Sequence, residues 1–282
     1  MQNKTFVLVF ALLSVVLVYL FYSAPPPLDE NRNSGVRIPV KQVLEILNEE
    51  NRLTRELYTK EIVGLGKKAG LDFDENWRDD DIHAGPLPAQ FLREVANTLE
   101  KSPVTIGLYL GSDYPINQAN LFEGKQMGIY RKLKQDRQAQ FFYVEDIQRY
   151  AYMFEDVAIS SVCVDCHNNH DESPKEDWKL NDVMGATTWT YPDEYIDLQT
   201  ALKLVDYLRK SFSRAYQVYL DEILTARNPP LVGSLWPRDG YYLPTLDRFM
   251  SRIDLRNSRK TLQALTDLAG MKVAMKVEGL EQ

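Results

Sequence analysis

The order of the elements predicted from the sequence indicates an α+β fold with an antiparallel sheet. Apolar residues recur at helical spacing over residues 40–66, so a long amphipathic helix comes first. Short strands and helices then mix, and the clearest strand, residues 183–191, reads V-M-G-A-T-T-W-T-Y. A long helix follows this strand toward the C-terminus. This order favours an antiparallel sheet over a parallel one.

The remaining elements have recognisable boundaries. Gly64, Gly66 and Gly70 end the first helix, and an acidic loop follows it. The Gly-Pro-Leu-Pro run at 85–88 then introduces a second helix that ends near residue 101. The other predicted elements are strands at 108–110, 139–144 and 150–154, a partly helical stretch at 117–138 and a helix at 155–167.

The terminal helical region, residues 196–226, carries a heptad pattern. Its apolar residues alternate steps of three and four, namely Leu198, Ala201, Val205, Leu208, Phe212, Ala215 and Tyr219. Such a seam fits a helix that packs on its own domain, and it equally fits a parallel homodimer through residues 198–219. The sequence leaves both interpretations open, and it predicts one more helix at 245–268.

The N-terminus carries an apolar run from Phe6 to Tyr22 that is broken only by Ser14. Its length fits a short membrane-spanning helix. A cleaved signal would place Tyr22 at the third position before the cut, where a small residue is needed, so an uncleaved anchor is favoured. We divide the chain into an anchor with a proline-rich spacer (1–28), a central domain (29–195) and a helical C-terminal extension (196–282).

Charge and cysteine content narrow the classes of function. The 282 residues carry a formal net charge of −7, which argues against nucleic acid as a partner. The chain has two cysteines, and both lie in the pentapeptide Cys163-Val164-Asp165-Cys166-His167. No cysteine therefore remains for a framework of disulfides.

Cys-x-x-Cys-His is the attachment sequence for one covalent c-type haem. Two thiols three residues apart lie on one face of a helical turn, where they can bind the two vinyl groups of a porphyrin. His167 follows them and is the expected proximal ligand of the haem iron. Because this attachment takes place outside the bacterial cytoplasm, we expect the domain in the periplasm, with the N-terminal helix in the inner membrane.

Two other chemistries compete for this pentapeptide. A zinc site would need His167 and His170 within an eight-residue span, which is tighter than the usual spacing of zinc ligands. A thioredoxin-like redox pair would need a surrounding βαβ pattern, which the sequence does not predict. The haem interpretation is favoured over both.

Several further segments resemble one known family. They are Cys163 to Asn168, Ser173-Pro174-Lys175, the run from Asp177 to Gly185, residues 85–91 and residues 110–115. Over roughly residues 40–195 the chain resembles the c-type haem-binding PAS-like sensor domain, which occurs in membrane histidine kinases and cyclases and as a stand-alone protein. The resemblance implies a PAS-like sheet with a long N-terminal helix, and covalent haem in a pocket beside the sheet.

The sequence does not decide which ligand binds the other face of the iron. Some members of that family carry a cysteine ligand on the N-terminal helix, and this chain has no third cysteine. The candidates are His83, Met127, Met153 and Met184, a water molecule, or an empty position, although methionine is also a common core residue. Trp178 is a candidate wall of the pocket, and Lys175 and Lys179 are candidate partners of the haem carboxylates.

Three functions follow from these expectations. The favoured one is a membrane-anchored periplasmic sensor of redox state or of a diatomic gas, which signals to an unknown output protein. The alternative is a monohaem electron-transfer cytochrome, for which this chain is large. A haem enzyme is disfavoured, because no distal His and Arg pair can be assigned.

Overall fold

The computed structural model describes residues 37–79, 82–226, 228–238 and 240–278, without the side chains of residues 269 and 271–278. The predicted membrane anchor and spacer lie outside the described residues. Within the described part of the chain, no helix combines the length and the hydropathy needed to cross a bilayer. The described residues belong to one compact unit.

The described residues form seven α-helices, which we number in chain order. They are α1 (Val40–Leu57), α2 (Gly64–Lys68), α3 (Pro88–Glu100), α4 (Gly124–Asp136), α5 (Ser161–Asn169), α6 (Leu198–Ile223) and α7 (Leu246–Glu278). A π-helical turn, Tyr58–Val63, joins α1 to α2 without a break, which confirms the long first helix. The last helix extends ten residues beyond its predicted end at 268, to Glu278.

The strands confirm the predicted antiparallel sheet. Four strands pair antiparallel in the order β4-β7-β6-β5, where β4 is Gly107–Gly111, β5 Gln140–Val144, β6 Arg149–Val157 and β7 Val183–Tyr191. The short strands β1 (Arg37–Pro39) and β8 (Tyr195–Asp197) form an antiparallel pair. Two further pairs are parallel, namely β2 (Phe73–Asp74) with β3 (Gly85–Pro86) and β9 (Val232–Gly233) with β10 (Leu243–Pro244).

One predicted boundary is wrong. The sequence predicts a helix at 155–167, but residues 155–157 continue β6, because β6 stays paired with β7 as far as Val157 opposite Val183. A register shift lies between Asp156 and Val157. The helix that carries the pentapeptide is therefore only the nine residues of α5.

Two cores lie on the two faces of the sheet. The larger combines one face with α1, α3, α6 and α7, and among its members are Leu44, Phe91, Trp189, Phe212 and Phe249. The smaller lies under α4 on the opposite face and contains Phe122, Tyr130, Leu133, Met153 and Ala186. The predicted central domain and C-terminal extension share the larger core, so the packing does not divide at residue 195.

The heptad seam of α6 packs inside the chain. Six of its seven residues are buried, namely Ala201, Val205, Leu208, Phe212, Ala215 and Tyr219. The helix contacts α3 most extensively, and also α1 and α7. These side chains are therefore not available for the predicted dimer contact through 198–219.

The chain contains a structural repeat that the sequence analysis did not find. In each copy a long helix leads through a loop closed by a two-residue parallel strand pair into a second helix. We call residues 69–87, between α2 and α3, the first hook, and residues 224–245, between α6 and α7, the second hook. Each hook buries one tryptophan, Trp77 or Trp236.

Matching tyrosines fix the two copies in the same way. The hydroxyl of Tyr58 donates to the carbonyl oxygen of Pro86 at 2.7 Å, and that of Tyr216 donates to the carbonyl oxygen of Pro244 at 2.8 Å, and in both pairs the donor and acceptor residues are 28 positions apart. The two rings also stack equivalently, because Tyr58 lies 4.1 Å from Phe91 and Tyr216 lies 4.0 Å from Phe249.

We expect Tyr58→Phe and Tyr216→Phe to lower the free energy of unfolding by similar amounts. Each change leaves a buried carbonyl oxygen without its donor, which costs about 1–3 kcal/mol. Chemical denaturation measures the effect, and Tyr143→Phe is the control, because that side chain is exposed. A cost at only one of the two tyrosines would contradict their structural equivalence.

Candidate functional site

A cleft of about 590 Å³ lies where α1, the start of α3, α5 and one end of the sheet meet. Its volume falls in the range of ligand and cofactor sites, roughly 300–1,000 Å³. Cys163, Cys166 and His167 all line it. The opposite walls come from α1 (Asn48, Asn51, Arg52, Arg55, Glu56), from the start of α3 (Leu87 to Gln90, Arg93), and from β4, β6 and β7.

The start of α5 is held by local hydrogen bonds. The Ser160 side chain accepts from the backbone N–H of Val162 and caps the helix. Just before it, the N–H of Ala158 donates to Asp182 and the N–H of Asn181 donates to Ala158, each at 3.0 Å. These bonds fasten the helix to the segment that enters β7, so the pentapeptide faces the cleft from a fixed position.

The loop after α5 folds back onto His167. The carboxamide of Asn168 donates to the carbonyl of Trp178 at 3.0 Å and accepts from its N–H at 2.9 Å. This double contact places the buried Trp178 ring edge-on to His167, with 6.5 Å between ring centroids. Trp178 therefore supports the predicted ligand beside the cleft, and it is not among the cleft-lining residues.

The environment of His167 suits an iron ligand. Its Nδ1 atom is buried, and its ring makes no hydrogen bond within the described residues. Burial lowers the pKa of His167 against the opposing effect of Asp156, so the imidazole is neutral at neutral pH. A neutral imidazole with a free ring nitrogen is the form that binds a metal.

The pKa values of the two thiols are shifted in the opposite direction from those of a redox-active pair. Burial raises the pKa of Cys163, and Asp156 adds to this effect. Burial also raises the pKa of Cys166. Catalytic dithiols have lowered thiol pKa values, because the thiolate is the reactive form. The site therefore disfavours the thioredoxin-like interpretation.

The ion pair between Arg55 and Asp156 was not found from the sequence. Arg55 Nη2 lies 2.7 Å from Asp156 Oδ2, and its Nη1 donates to the Thr187 hydroxyl at 3.3 Å. The three residues line the cleft beside Cys163. Arg55 and Asp156 stand 101 positions apart, on α1 and β6, so only the folded chain brings them together.

The predicted lysine partners of the haem carboxylates do not line the cleft. Lys175 pairs with Asp177 and lies over the Trp178 ring at 4.7 Å from its centroid. Lys179 is exposed in the same loop. The cations that line the cleft are Arg52, Arg55 and Arg93. These three arginines are distant in sequence from the pentapeptide, and the sequence did not point to them.

Of the four protein candidates for the sixth ligand, Met184 lines the cleft. His83 is exposed outside it. Met153 belongs to the smaller core, and Met127 packs against that core, on the face of the sheet that α4 covers.

The backbone around Met184 is closely packed against β4. Its carbonyl oxygen accepts from the Ser112 hydroxyl at 2.5 Å. A Cβ at the next residue, Gly185, would lie 2.5 Å from the carbonyl oxygen of Gly111, so this strand contact requires glycine. Met184 is therefore set at the cleft by a part of β7 that cannot easily shift.

The residues present fit a covalently attached haem. Among the described residues, ten buried side-chain polar atoms lack a partner, and four belong to cleft-lining residues: Asn51, Arg55, Gln90 and His167. Such unpaired groups call for a partner that completes the site. Within the same residues no three His, Cys, Asp or Glu side chains converge to hold a metal ion.

The fold and the cleft define an α+β protein in which a Cys-x-x-Cys-His helix lines a cleft beside an antiparallel sheet. A family model described as Tll0287-like matches residues 33–192, more than half of the chain. The chain belongs to the Tll0287-like family. The second copy of the repeat, from α6 onward, lies beyond the matched residues. No curated protein and no solved structure matches the chain.

Proposed function

We propose that this chain is a membrane-anchored, extracytoplasmic c-type haem protein that senses redox state or a diatomic gas. One observation carries the proposal. Both thiols and the imidazole of the attachment sequence line one cleft large enough for a cofactor. The antiparallel sheet and the long N-terminal helix support a PAS-like domain around that cleft.

Each residue has a defined role in this proposal. Cys163 and Cys166 would hold the porphyrin by thioether bonds, and His167 would bind the iron through a free ring nitrogen. Arg52, Arg55 and Arg93 are the cations available to the haem carboxylates. When bound, haem would supply a redox-active iron that could take one further ligand, either a protein side chain or a gas.

A sensor needs a connection from the cleft to the rest of the molecule, and α1 offers one. Residues of one α1 face line the cleft. Other α1 residues, and the π-helical turn that follows, bond to α7, because Glu49 pairs with Lys260 at 2.9 Å and Glu61 pairs with Arg252 at 2.8 Å. A change at the cleft can therefore reach α7 through one helix, which favours sensing.

A monohaem electron carrier is the alternative function. It would need a solvent-accessible edge of the cofactor. The exposed residues Ala89 and Arg93 form part of the cleft wall, so the cleft opens to solvent. Electron transfer would use the same attachment residues, and it would not need the contacts between α1 and α7.

Absorption spectra of the purified protein with and without CO test the proposal. We expect a c-type pyridine haemochrome spectrum. A CO-induced Soret shift in the reduced protein supports gas sensing, and no shift with a ferric Met–iron band supports redox work. If Met184 binds the iron, Met184→Ala should make the protein CO-responsive. Met127→Ala is the matched control outside the cleft. If the protein is produced in cells with intact haem synthesis and is purified without haem, the proposal is contradicted.

A further inference from the structure

The loop after α5, residues 170–182, joins the pentapeptide helix to β7 and contains no helix or strand of its own. Loops of this length without secondary structure are uncommon and are usually functional. Trp178 is the one buried residue of this loop, with 4% of its surface exposed. Its ring packs edge-on to the imidazole of His167. The loop therefore buries a single side chain, and that side chain lies against the expected iron ligand.

His167 lacks the support that a metal-binding histidine usually has. Such a histidine commonly donates from its second ring nitrogen to a carboxylate, a carbonyl oxygen or water, and this bond fixes the orientation of the ring. The buried Nδ1 atom of His167 has no hydrogen-bond partner within the described residues. The imidazole lines the cleft, whereas Trp178 does not. Packing against the indole therefore takes the place of the usual hydrogen bond.

Several contacts fix the position of Trp178. The Asn168 carboxamide donates to its carbonyl oxygen at 3.0 Å and accepts from its N–H at 2.9 Å. The Lys175 Nζ atom lies 4.7 Å from the centroid of the indole, and the Tyr114 ring meets it edge-on at 6.4 Å between centroids. The indole Nε1 atom is buried without a partner among the described residues. The ring is therefore held here for its packing and not for its polar atom.

The loop is also closed where it enters β7. The N–H of Lys179 donates to the Asp182 carboxylate at 2.8 Å, and the N–H of Asn181 donates to the Ala158 carbonyl oxygen at 3.0 Å. Asn181 has a φ of 70°, in the left-handed region that asparagine tolerates better than most residues. All of these contacts lie within the chain, so the loop can take this conformation before any cofactor binds.

We propose that Asn168 and Trp178 are positioning residues, which hold the His167 ring in a fixed orientation for binding the haem iron. We call this pair the clamp. Its role rests on the haem attachment proposed above and deepens it. Trp178 acts through contact with the imidazole, and Asn168 acts through Trp178. Covalent attachment uses Cys163 and Cys166 instead, so attachment and orientation can be separated by experiment.

Hydrogen exchange in a haem-free chain tests whether the clamp is preformed. The full chain with Cys163→Ser and Cys166→Ser, labelled with ¹⁵N-tryptophan and kept in detergent, gives a backbone signal for each of its four tryptophans. Adding Asn168→Ala should make the Trp178 N–H exchange about tenfold faster, the factor expected for one lost hydrogen bond. Asn169→Ala is the matched control, because that carboxamide donates to a backbone carbonyl oxygen inside α5 at 2.7 Å. Equal exchange in the two variants would contradict the clamp.

Proton NMR of the ferric, haem-loaded chain tests whether the clamp orients His167. The shifts of the haem methyl groups depend on the orientation of an axial imidazole. We expect Asn168→Ala and Trp178→Ala to change these shifts. Trp178→Phe keeps an aromatic ring and loses the unpaired indole N–H, so it should preserve them, as should Asn169→Ala. Staining for covalent haem should be equal in all four variants, because each retains both cysteines.

Two outcomes would overturn the positioning role. One is a set of methyl shifts in Trp178→Ala that equals that of the unmodified chain. Circular dichroism first establishes that this variant is folded, and Asn168→Ala replaces it if it is not. The other is a loss of staining in both clamp variants, which would assign the clamp to attachment. Absence of haem from the unmodified chain refutes the proposed function, whereas retained haem with unchanged shifts in the variants refutes the positioning role alone.

Discussion

Replacement of both Cys163 and Cys166 by serine is expected to abolish covalent haem attachment. The two thiols line one cleft and are the chain's only cysteines, so no other side chain can form a thioether. Each single variant should retain at most one bond to the cofactor. We expect haem-associated peroxidase staining on denaturing gels to fall at least tenfold in the double variant.

The control for this experiment lies inside the same pentapeptide. Asp165→Asn changes a residue between the cysteines, keeps both thiols and His167, and should stain like the unmodified protein. Mass spectrometry of the intact chain gives an independent measure, since covalent haem adds its own mass. Undiminished staining of the double serine variant would refute covalent attachment at this site.

The second large effect concerns the stability of the helical part. Glu50→Ala should lower the free energy of unfolding by about 3–5 kcal/mol, because it removes one partner of a buried ion pair. The Glu50 side chain is 0% exposed and lies 2.6 Å from Arg209. It also accepts from Asn257 at 2.9 Å and from Thr261, so it joins α1 to both α6 and α7.

The neighbouring residue supplies the matched control. Glu49 also forms ion pairs, with Arg52 and Lys260, but its side chain is 36% exposed. Glu49→Ala should therefore cost less than about 1 kcal/mol in a denaturant titration. Adding Arg209→Met to Glu50→Ala should recover part of the loss, since it removes the cation that has lost its buried partner and keeps only the exposed Asp254 at 3.5 Å. Equal costs at Glu49 and Glu50 would refute the buried network.

Much of the fold could be predicted because it follows local patterns. The first helix has an amphipathic periodicity that its burial confirms, and the segment at 183–191, rich in β-branched and aromatic residues, forms the predicted strand. The end of β6 could not be predicted, since pairing with β7 carries residues 155–157 into the sheet. The heptad seam was correctly recognised, although a periodic pattern alone does not say whether its partner is the same chain or another.

The candidate site also contains residues that the sequence predicts and residues that only the fold brings together. Cys163, Cys166 and His167 could be found because the motif lies in five consecutive residues. Arg55 and Asp156 could not, because their contact joins two distant elements. Charge and nearness in sequence favour Lys175, but its ion pair with Asp177 and its contact with the Trp178 ring hold it in the loop. Distance along the chain is a poor guide to the walls of a cleft.

The repeat of helix, hook and helix has a consequence for the ancestry of the molecule. An ancestral helical hairpin that was duplicated, with the sheet and α5 inserted between its copies, would give the present order of elements. With such an origin, selection would have acted on each copy separately. The shared tyrosine, tryptophan, proline and phenylalanine record what the hairpin needs to fold. Arg55 lines the cleft, whereas the equivalent residue of the second copy is Ser213. The arginine therefore belongs to the cleft and is not needed by the hairpin.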